Sequence, residues 1–146
     1  MLNNEKDHAN NNLKRDCQVS SLRRLKGLII ICALLICSNI IIGTLGAHLW
    51  QAQLIEHNGL NNFATARDYL FIHALATLFI ALLDYLFPQA KFYYAAYLQL
   101  LAVMVFSGSL ILYALTGTAA FSAVTPLGGS SLMLSWLVLV WRVTKL

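Results

Sequence analysis

Four long apolar runs dominate the chain. They cover residues 28–50, 69–87, 93–115 and 125–143, and each is apolar on nearly every side of a helix. A helix needs about 20 apolar residues to cross a hydrocarbon core of ~30 Å, so each run is long enough to span a bilayer. A membrane strand would alternate apolar and polar residues over about 10 positions, unlike these runs. The pattern predicts an all-α integral membrane protein with four transmembrane helices.

The residues before the first run have a different composition. Residues 1–25 are rich in Asn and Lys without apolar periodicity, which predicts a disordered or loosely helical polar leader ahead of a transmembrane domain at 26–146. A basic leader, an apolar run and small residues at Gly46 and Ala47 also fit a cleaved secretory signal peptide. The apolar core of such a peptide usually has about 7–15 residues, so this longer run favours a retained helix.

Composition and charge agree with a membrane location. Hydrophobic residues make up 59% of the sequence and charged residues only 11%, against about 25% charged residues in soluble domains. The formal net charge is +4. Nucleic-acid binding needs a basic face on a soluble fold, whereas the basic residues here flank the apolar runs. We therefore expect the lipid bilayer, and not nucleic acid, as a partner.

The positions of Lys and Arg also predict an orientation. A basic cluster precedes the first run, Lys91 lies in the second connection, and Arg142 and Lys145 follow the last run. The first connection has only Arg67 close to a run, and the third connection has no charge. Because cytoplasmic loops carry an excess of Lys and Arg, both termini and the connection at 88–92 are predicted to be cytoplasmic.

No group of residues in the sequence points to a cofactor, a metal site or a catalytic centre. Cys17, Cys32 and Cys37 form neither a C-x-x-C pair nor a disulfide framework. The four histidines lack the short spacing of a zinc site. The serines of the third run have no histidine or carboxylate on the same helix to make one of them a nucleophile. We therefore expect a non-enzymatic protein without catalytic residues, cofactor or metal.

Polar residues recur at helical spacing along the second run. Tyr69, His73, Thr77, Ile80 and Asp84 follow at intervals of four, four, three and four residues, which places them on one face of a helix. A neutral imidazole at position 73 can hydrogen-bond inside a helix bundle and hold helices together. A proton-accepting role for His73 is the functional alternative.

Asp84 is the most costly residue of this stripe. A carboxylate at the centre of a membrane helix costs ~2.5–3.5 kcal/mol on insertion scales, and such residues are often functional. Asp84 lies only four residues before Pro88, however. It is therefore predicted to reach the cytoplasmic interface and to pair with Lys91, with a functional role as the alternative.

The first run carries a narrow face of small and polar residues. Asn39, Gly43 and Gly46 are spaced four and three residues apart. Small residues let two helices approach closely, and a buried Asn can hydrogen-bond across the contact. This face is therefore predicted to pack against another helix.

Polar residues also meet at the predicted outer surface. His48 follows the first run, and Arg67 and Asp68 precede the second. These three side chains are candidates for a polar functional cluster. A solvated rim is an equally good interpretation.

Glycines provide further packing points in the last two runs. Gly108 lies in the third run, and Gly128 and Gly129 lie at the start of the fourth. Pro126 is expected in the first turn of the fourth helix, where a missing N–H costs nothing. The paired glycines are not followed by a lysine, so they do not indicate a phosphate-binding loop.

Five motifs follow one another along the chain. They are GTLGAH at 43–48, ARDYLFIHAL at 66–75, FSGSL at 106–110, ALTG at 114–117 and VTPLGG at 124–129. Together they resemble the domain-of-unknown-function 423 family of small membrane proteins. The family pattern is closer to GAFGAHGL in the first motif, and it tends to have Gly where Ser135 stands. The resemblance implies a four-helix protein of the bacterial inner membrane with no assigned activity, and it supplies no catalytic residues.

Two functions remain open. The small-residue faces favour an accessory membrane protein that packs with itself, as a homo-oligomer, or within a larger membrane complex. Permeation of a small solute or a proton along the polar stripes of the first two spans is the alternative. Either role is expected to centre on those two spans, and convergence of His48, Arg67 and His73 in one cavity would favour binding or permeation.

Overall fold

The computed structural model describes the backbone of residues 2–146 and the side chains of residues 11–13 and 15–146. Every regular element in this part of the chain is helical. The elements in chain order are α1 (Leu2–His48), α2 (Gln51–Glu56), α3 (Leu60–Leu86), a 3-10 turn (Pro88–Ala90), α4 (Tyr93–Thr116) and α5 (Ala119–Val143). The helices α1, α3, α4 and α5 are each long and apolar enough to cross a membrane. The prediction of four long apolar helices is therefore confirmed.

The polar leader, predicted to be disordered or loosely helical, is helical. The helix α1 is continuous from Leu2 to His48, and Met1 lies outside the described residues. Extending an existing helix is far easier than starting one, and Leu, Arg, Lys and Gln of the leader are good helix formers. Ser21, which precedes the first apolar run, is fully buried, and α1 contacts the 3-10 turn. Tertiary packing therefore extends from the first apolar run into the polar leader that precedes it.

The second span begins earlier than predicted. The helix α3 starts at Leu60 and not at residue 69. Leu54, Phe63 and Ala114 form a buried apolar cluster at this end of the bundle, which orders the first turns of α3. Gly59 lies directly against the Ala114 backbone, where a Cβ atom would overlap the carbonyl group. The absence of a side chain at this position allows the close approach.

The fourth span also begins earlier than predicted. The helix α5 starts at Ala119, so Pro126 lies inside the helix and not in its first turn. Thr118 is extended (φ −75°, ψ 115°) and marks the start of α5. Membrane helices tolerate an internal proline because neighbouring groups satisfy the freed backbone atoms. The predicted start failed because residues 119–124 are themselves compatible with a helix.

The long helices pack in a row in which α1 lies on α3, α3 on α4 and α4 on α5. All four contribute to one core cluster near the end where α3 turns into α4, through Leu28, Ile80, Leu100 and Leu139. The outer helices α1 and α5 leave most of their apolar side chains exposed. A water-soluble monomer rarely exposes so broad an apolar surface, whereas lipid tails suit it.

Candidate functional site

A chain of hydrogen bonds links three of the long helices at one depth in the bundle. The Nδ1 atom of His73 on α3 lies 3.4 Å from Nε2 of Gln99 on α4. The hydroxyl of Ser135 on α5 lies 3.2 Å from the Oε1 atom of Gln99. Gln99 and Ser135 are completely buried, whereas His73 is half-buried. Buried polar groups are stable only when they are hydrogen-bonded, so this chain fixes the mutual position of α3, α4 and α5.

His73 also lines an open groove on the side of the bundle. The groove has a volume of about 510 Å³, and its lining includes Tyr69 and Phe106 beside His73. Met133 and Trp136 contribute from α5. The sequence predicts that any activity centres on the first two spans. The structure instead places this groove between the second and fourth spans, α3 and α5.

The hydrogen-bond pattern determines what this site can do. The Gln99 amide nitrogen donates, so Nδ1 of His73 accepts and the neutral ring carries its proton on Nε2. Among the described side chains, Nε2 has no partner, which leaves a free donor on a residue that lines the groove. The proton of Ser135 is shared between Gln99 and the carbonyl oxygen of Leu132 at 2.6 Å. Because the amide of Gln99 separates the imidazole from Ser135, the arrangement can bind a hydrogen-bond acceptor but does not activate the serine.

Asp84, lower on the same α3 stripe, belongs to a separate contact. Its Oδ2 atom accepts a hydrogen bond from Nε of Arg24 at 2.9 Å, and its Oδ1 atom accepts one from the backbone N–H of Tyr93 at 3.1 Å. Asp84 is buried, as is Thr77 of the same stripe. The predicted pairing with Lys91 is wrong. Lys91 is exposed in a left-handed turn (φ 55°), whereas the helical leader carries Arg24 alongside α3.

The proposed cluster of His48, Arg67 and Asp68 does not form. His48 and Asp68 are exposed and make no hydrogen bond or ion pair to Arg67 among the described residues. Arg67 instead lies against Gly43 on α1, in the space that a Cβ atom there would occupy. The Nδ2 atom of Asn39 donates to the Arg67 carbonyl oxygen at 3.2 Å. Arg67 and Asn39 therefore join α1 to α3, whereas His48 and Asp68 remain exposed at the rim.

The predicted packing glycines fall into two groups. A Cβ atom at Gly46 would overlap the Phe63 ring, and one at Gly128 would lie 2.6 Å from the Phe106 backbone. These two positions need glycine because α1 approaches α3, and α5 approaches α4, at very short range. Gly129 makes only an ordinary 3.7 Å contact with the Phe106 ring. Gly108 is not a close-packing point, since a Cβ atom there would meet nothing within 4 Å.

Sequence reasoning missed several residues of these contacts, among them Gln99 and Arg24. Gln99 is the single amide side chain in the run 93–115, and its isolation among apolar residues was a signal that it must find a buried partner. Arg24 gave no such signal, because it belongs to a basic cluster that looks solvated. Its pairing with Asp84 depends on the helical continuation of α1 and spans 60 positions of sequence.

Comparison with known proteins places the chain in a family. A family model described as "Protein of unknown function (DUF423)" matches residues 42–129, which is more than half of the chain. The UPF0382 membrane protein YwdK of Bacillus subtilis is 31% identical over 105 residues, covering 71% of this chain and 85% of that protein. The UPF0382 membrane protein SH2409 of Staphylococcus haemolyticus is 30% identical over 121 residues, covering 83% and 98%. No solved structure matches the chain significantly.

These relatives agree with the architecture. They are named membrane proteins, and this chain has four helices of membrane-spanning length and composition in its described part. The match covers the motifs of α1, α3, α4 and the first turns of α5, including His48, His73, Gly108 and Gly128. The chain therefore belongs to the DUF423 family of proteins of unknown function and is a multi-pass membrane protein.

Proposed function

We propose that the protein is a non-enzymatic accessory protein of the bacterial inner membrane that assembles laterally with a second copy of itself. The observation that carries this proposal is the half-buried His73, which lines a groove that the bundle's own helices leave open. An imidazole with a free donor is costly next to lipid tails, and membrane proteins usually turn such groups toward other helices. A second copy would cover the groove and supply an acceptor.

The shape of the groove supports a helix as its occupant. Gly129 and Ser130 of α5 have small side chains that leave space along one side of the groove, while Trp136 and Phe106 provide flat apolar surfaces. Small residues beside aromatic ones allow a helix from another subunit to approach closely. In a two-fold symmetric dimer, α5 of each copy would lie against the groove of its partner.

The proposed orientation rests on the charge distribution. Arg24 and Arg142 lie at the same end of the bundle, since they contact the adjacent residues Tyr93 and Tyr94 at the start of α4. The described part of the leader, the residues after α5 and the α3–α4 turn with Lys91 belong to this end. The excess of Lys and Arg supports its location in the cytoplasm.

Cross-linking between single cysteines tests the proposed dimer. After Cys17, Cys32 and Cys37 are replaced by serine, a Ser130→Cys variant is expected to give covalent dimers in membranes when treated with a short bis-maleimide. The matched control is Ile41→Cys, which is also an exposed position and lies on α1 outside the groove. Native mass spectrometry in mild detergent is expected to show the dimer directly. A strict monomer, or equal cross-linking at both positions, would contradict the proposal.

The contribution of His73 to this assembly is expected to be measurable. Replacing His73 with alanine removes the donor at the groove, and interhelical hydrogen bonds in membranes contribute ~1 kcal/mol. We therefore expect roughly fivefold weaker self-association for His73→Ala in detergent dilution experiments. His48→Ala, which changes an exposed histidine outside the groove, is the control and is expected to leave self-association unchanged.

Permeation of a small solute or a proton along the stripes of the first two spans is the second candidate. The His73–Gln99–Ser135 chain is the feature that favours it, but this chain runs across the bundle at one depth. Asp84, farther along α3, is held by Arg24.

We therefore expect no proton flux above the leak of empty vesicles. The measurement uses proteoliposomes that contain a trapped pH indicator and the wild type or His73→Ala. Flux in the wild type that is lost in His73→Ala would replace the assembly proposal with permeation.

A further inference from the structure

A stack of guanidinium groups and aromatic rings runs across the end of the bundle where α3 turns into α4. The Arg24 guanidinium lies 4.6 Å from the centre of the Tyr93 ring, and the Tyr93 and Tyr94 rings are 4.2 Å apart. The Arg142 guanidinium lies 4.8 Å from the centre of the Tyr94 ring and 4.6 Å from that of Trp141. The stack therefore connects α1, α4 and α5.

The two arginines of this stack differ in their partners. Arg24 is neutralised by Asp84 at 2.9 Å. Arg142 makes no ion pair within the described residues, and its Nε atom is buried without a hydrogen-bond partner. The side chain as a whole is only half-buried, so the outer guanidinium nitrogens of Arg142 can reach an acceptor outside the bundle.

The surroundings of Arg142 favour the binding of an anion at the membrane surface. Arg142 lies in the last turn of α5, one of the membrane-spanning helices, next to the exposed apolar residues Val140 and Val143. Lys145 follows at the C-terminus and adds positive charge. Tyr and Trp side chains such as Tyr94 favour the depth of lipid headgroups.

We propose that Arg142, held between Tyr94 and Trp141, binds the phosphate of an anionic phospholipid headgroup. The planar guanidinium donates two parallel hydrogen bonds to phosphate, a geometry that a lysine does not reproduce. The two rings fix the guanidinium in place, so little side-chain entropy is lost when the headgroup binds. The acyl chains of the same lipid would lie along the exposed apolar face of α5. This site is independent of the proposed dimer, because it lies at the end of the bundle and contains none of the groove residues.

Lipid binding to the full-length protein in mild detergent tests this assignment. Native mass spectrometry counts bound phosphatidylglycerol and phosphatidylcholine at equal added concentrations. We expect the wild type to prefer phosphatidylglycerol and Arg142→Gln to lose that preference by roughly fivefold, the effect of about one charge contact. Arg142→Lys keeps the charge but not the geometry, and it is expected to retain only part of the preference.

A matched variant separates a defined site from general surface charge. Arg23→Gln removes the same charge from an exposed position on α1 and is expected to leave the preference unchanged. Equal losses for Arg23→Gln and Arg142→Gln, or no preference in the wild type, would overturn the proposal. Displacement of the lipid by excess inorganic phosphate alone would also overturn it, since the site would then recognise free phosphate. If Arg142→Gln fails to fold, as judged by helical circular dichroism, Arg142→Lys and Tyr94→Leu carry the same test.

Discussion

Replacing Asp84 with alanine is expected to lower the free energy of unfolding by about 3 kcal/mol. The buried carboxylate accepts hydrogen bonds from Arg24 and from the Tyr93 backbone, so its removal leaves two donors without an acceptor. Loss of one member of a buried ion pair costs about 3–5 kcal/mol. The lower end of that range applies because the Arg24 side chain keeps 24% exposure. Unfolding of the full chain in mixed micelles with increasing dodecyl sulfate measures the difference.

Two comparisons isolate the ion pair. Asp68→Ala removes a carboxylate from an exposed position of the same helix and is expected to change the unfolding free energy by less than about 0.5 kcal/mol. The double variant Arg24→Met with Asp84→Leu is expected to recover most of the loss, because two apolar side chains leave no uncompensated charge. Equal losses for the alanine variants at 84 and 68 would contradict the structural role of the pair.

The four spans could be predicted because one physical requirement governs them. A membrane helix must satisfy its own backbone and present apolar side chains over about 20 residues, and both conditions are visible in the sequence. The helix ends were harder to predict. Residues 60–68 are mixed in polarity, and the sequence does not show that the cluster around Phe63 orders them. Residues 119–124 are mostly apolar, but Pro126 indicates a helix start close to residue 125.

The side-chain partners could be predicted only where helical spacing determines them. The stripe from His73 to Asp84 follows from spacing on one helix, and the structure buries its lower half. Spacing says nothing about which other helix faces the stripe. The sequence predicts Lys91 as the partner of Asp84 because it is near in the chain, whereas the packing of α1 on α3 brings Arg24 into contact.

At the candidate site, too, the position of a residue on its own helix could be predicted, whereas its partners on other helices could not. His73 was identified because a histidine is conspicuous in an apolar run. Its partners Gln99 and Ser135 come from the third and fourth spans, and their meeting depends on the depth at which α4 and α5 pack. The groove depends in addition on the gap between α3 and α5, which no local pattern encodes.

Gly128→Ala is expected to destabilise the bundle by about 2 kcal/mol, the middle of the range for overpacked cores. The added Cβ atom would lie 2.6 Å from both the Cα and N atoms of Phe106. These are backbone atoms of α4, so the contact can be relieved only by moving α5 away from α4 as a whole. Because Phe106 also lines the groove, the same movement is expected to reduce cross-linking through Ser130→Cys.

Gly108→Ala is the matched control for this effect, since it makes the same substitution inside the neighbouring helix. A Cβ atom at Gly108 would meet nothing within 4 Å, so only helix propensity changes, and stability is expected to stay constant or rise by up to ~1 kcal/mol. Unfolding in mixed micelles compares the two variants under one condition. Opposite signs for positions 128 and 108 are expected, because one glycine faces the α4 backbone and the other faces open space. A stable Gly128→Ala variant with undiminished cross-linking would contradict the close approach of α5 to α4 at Gly128.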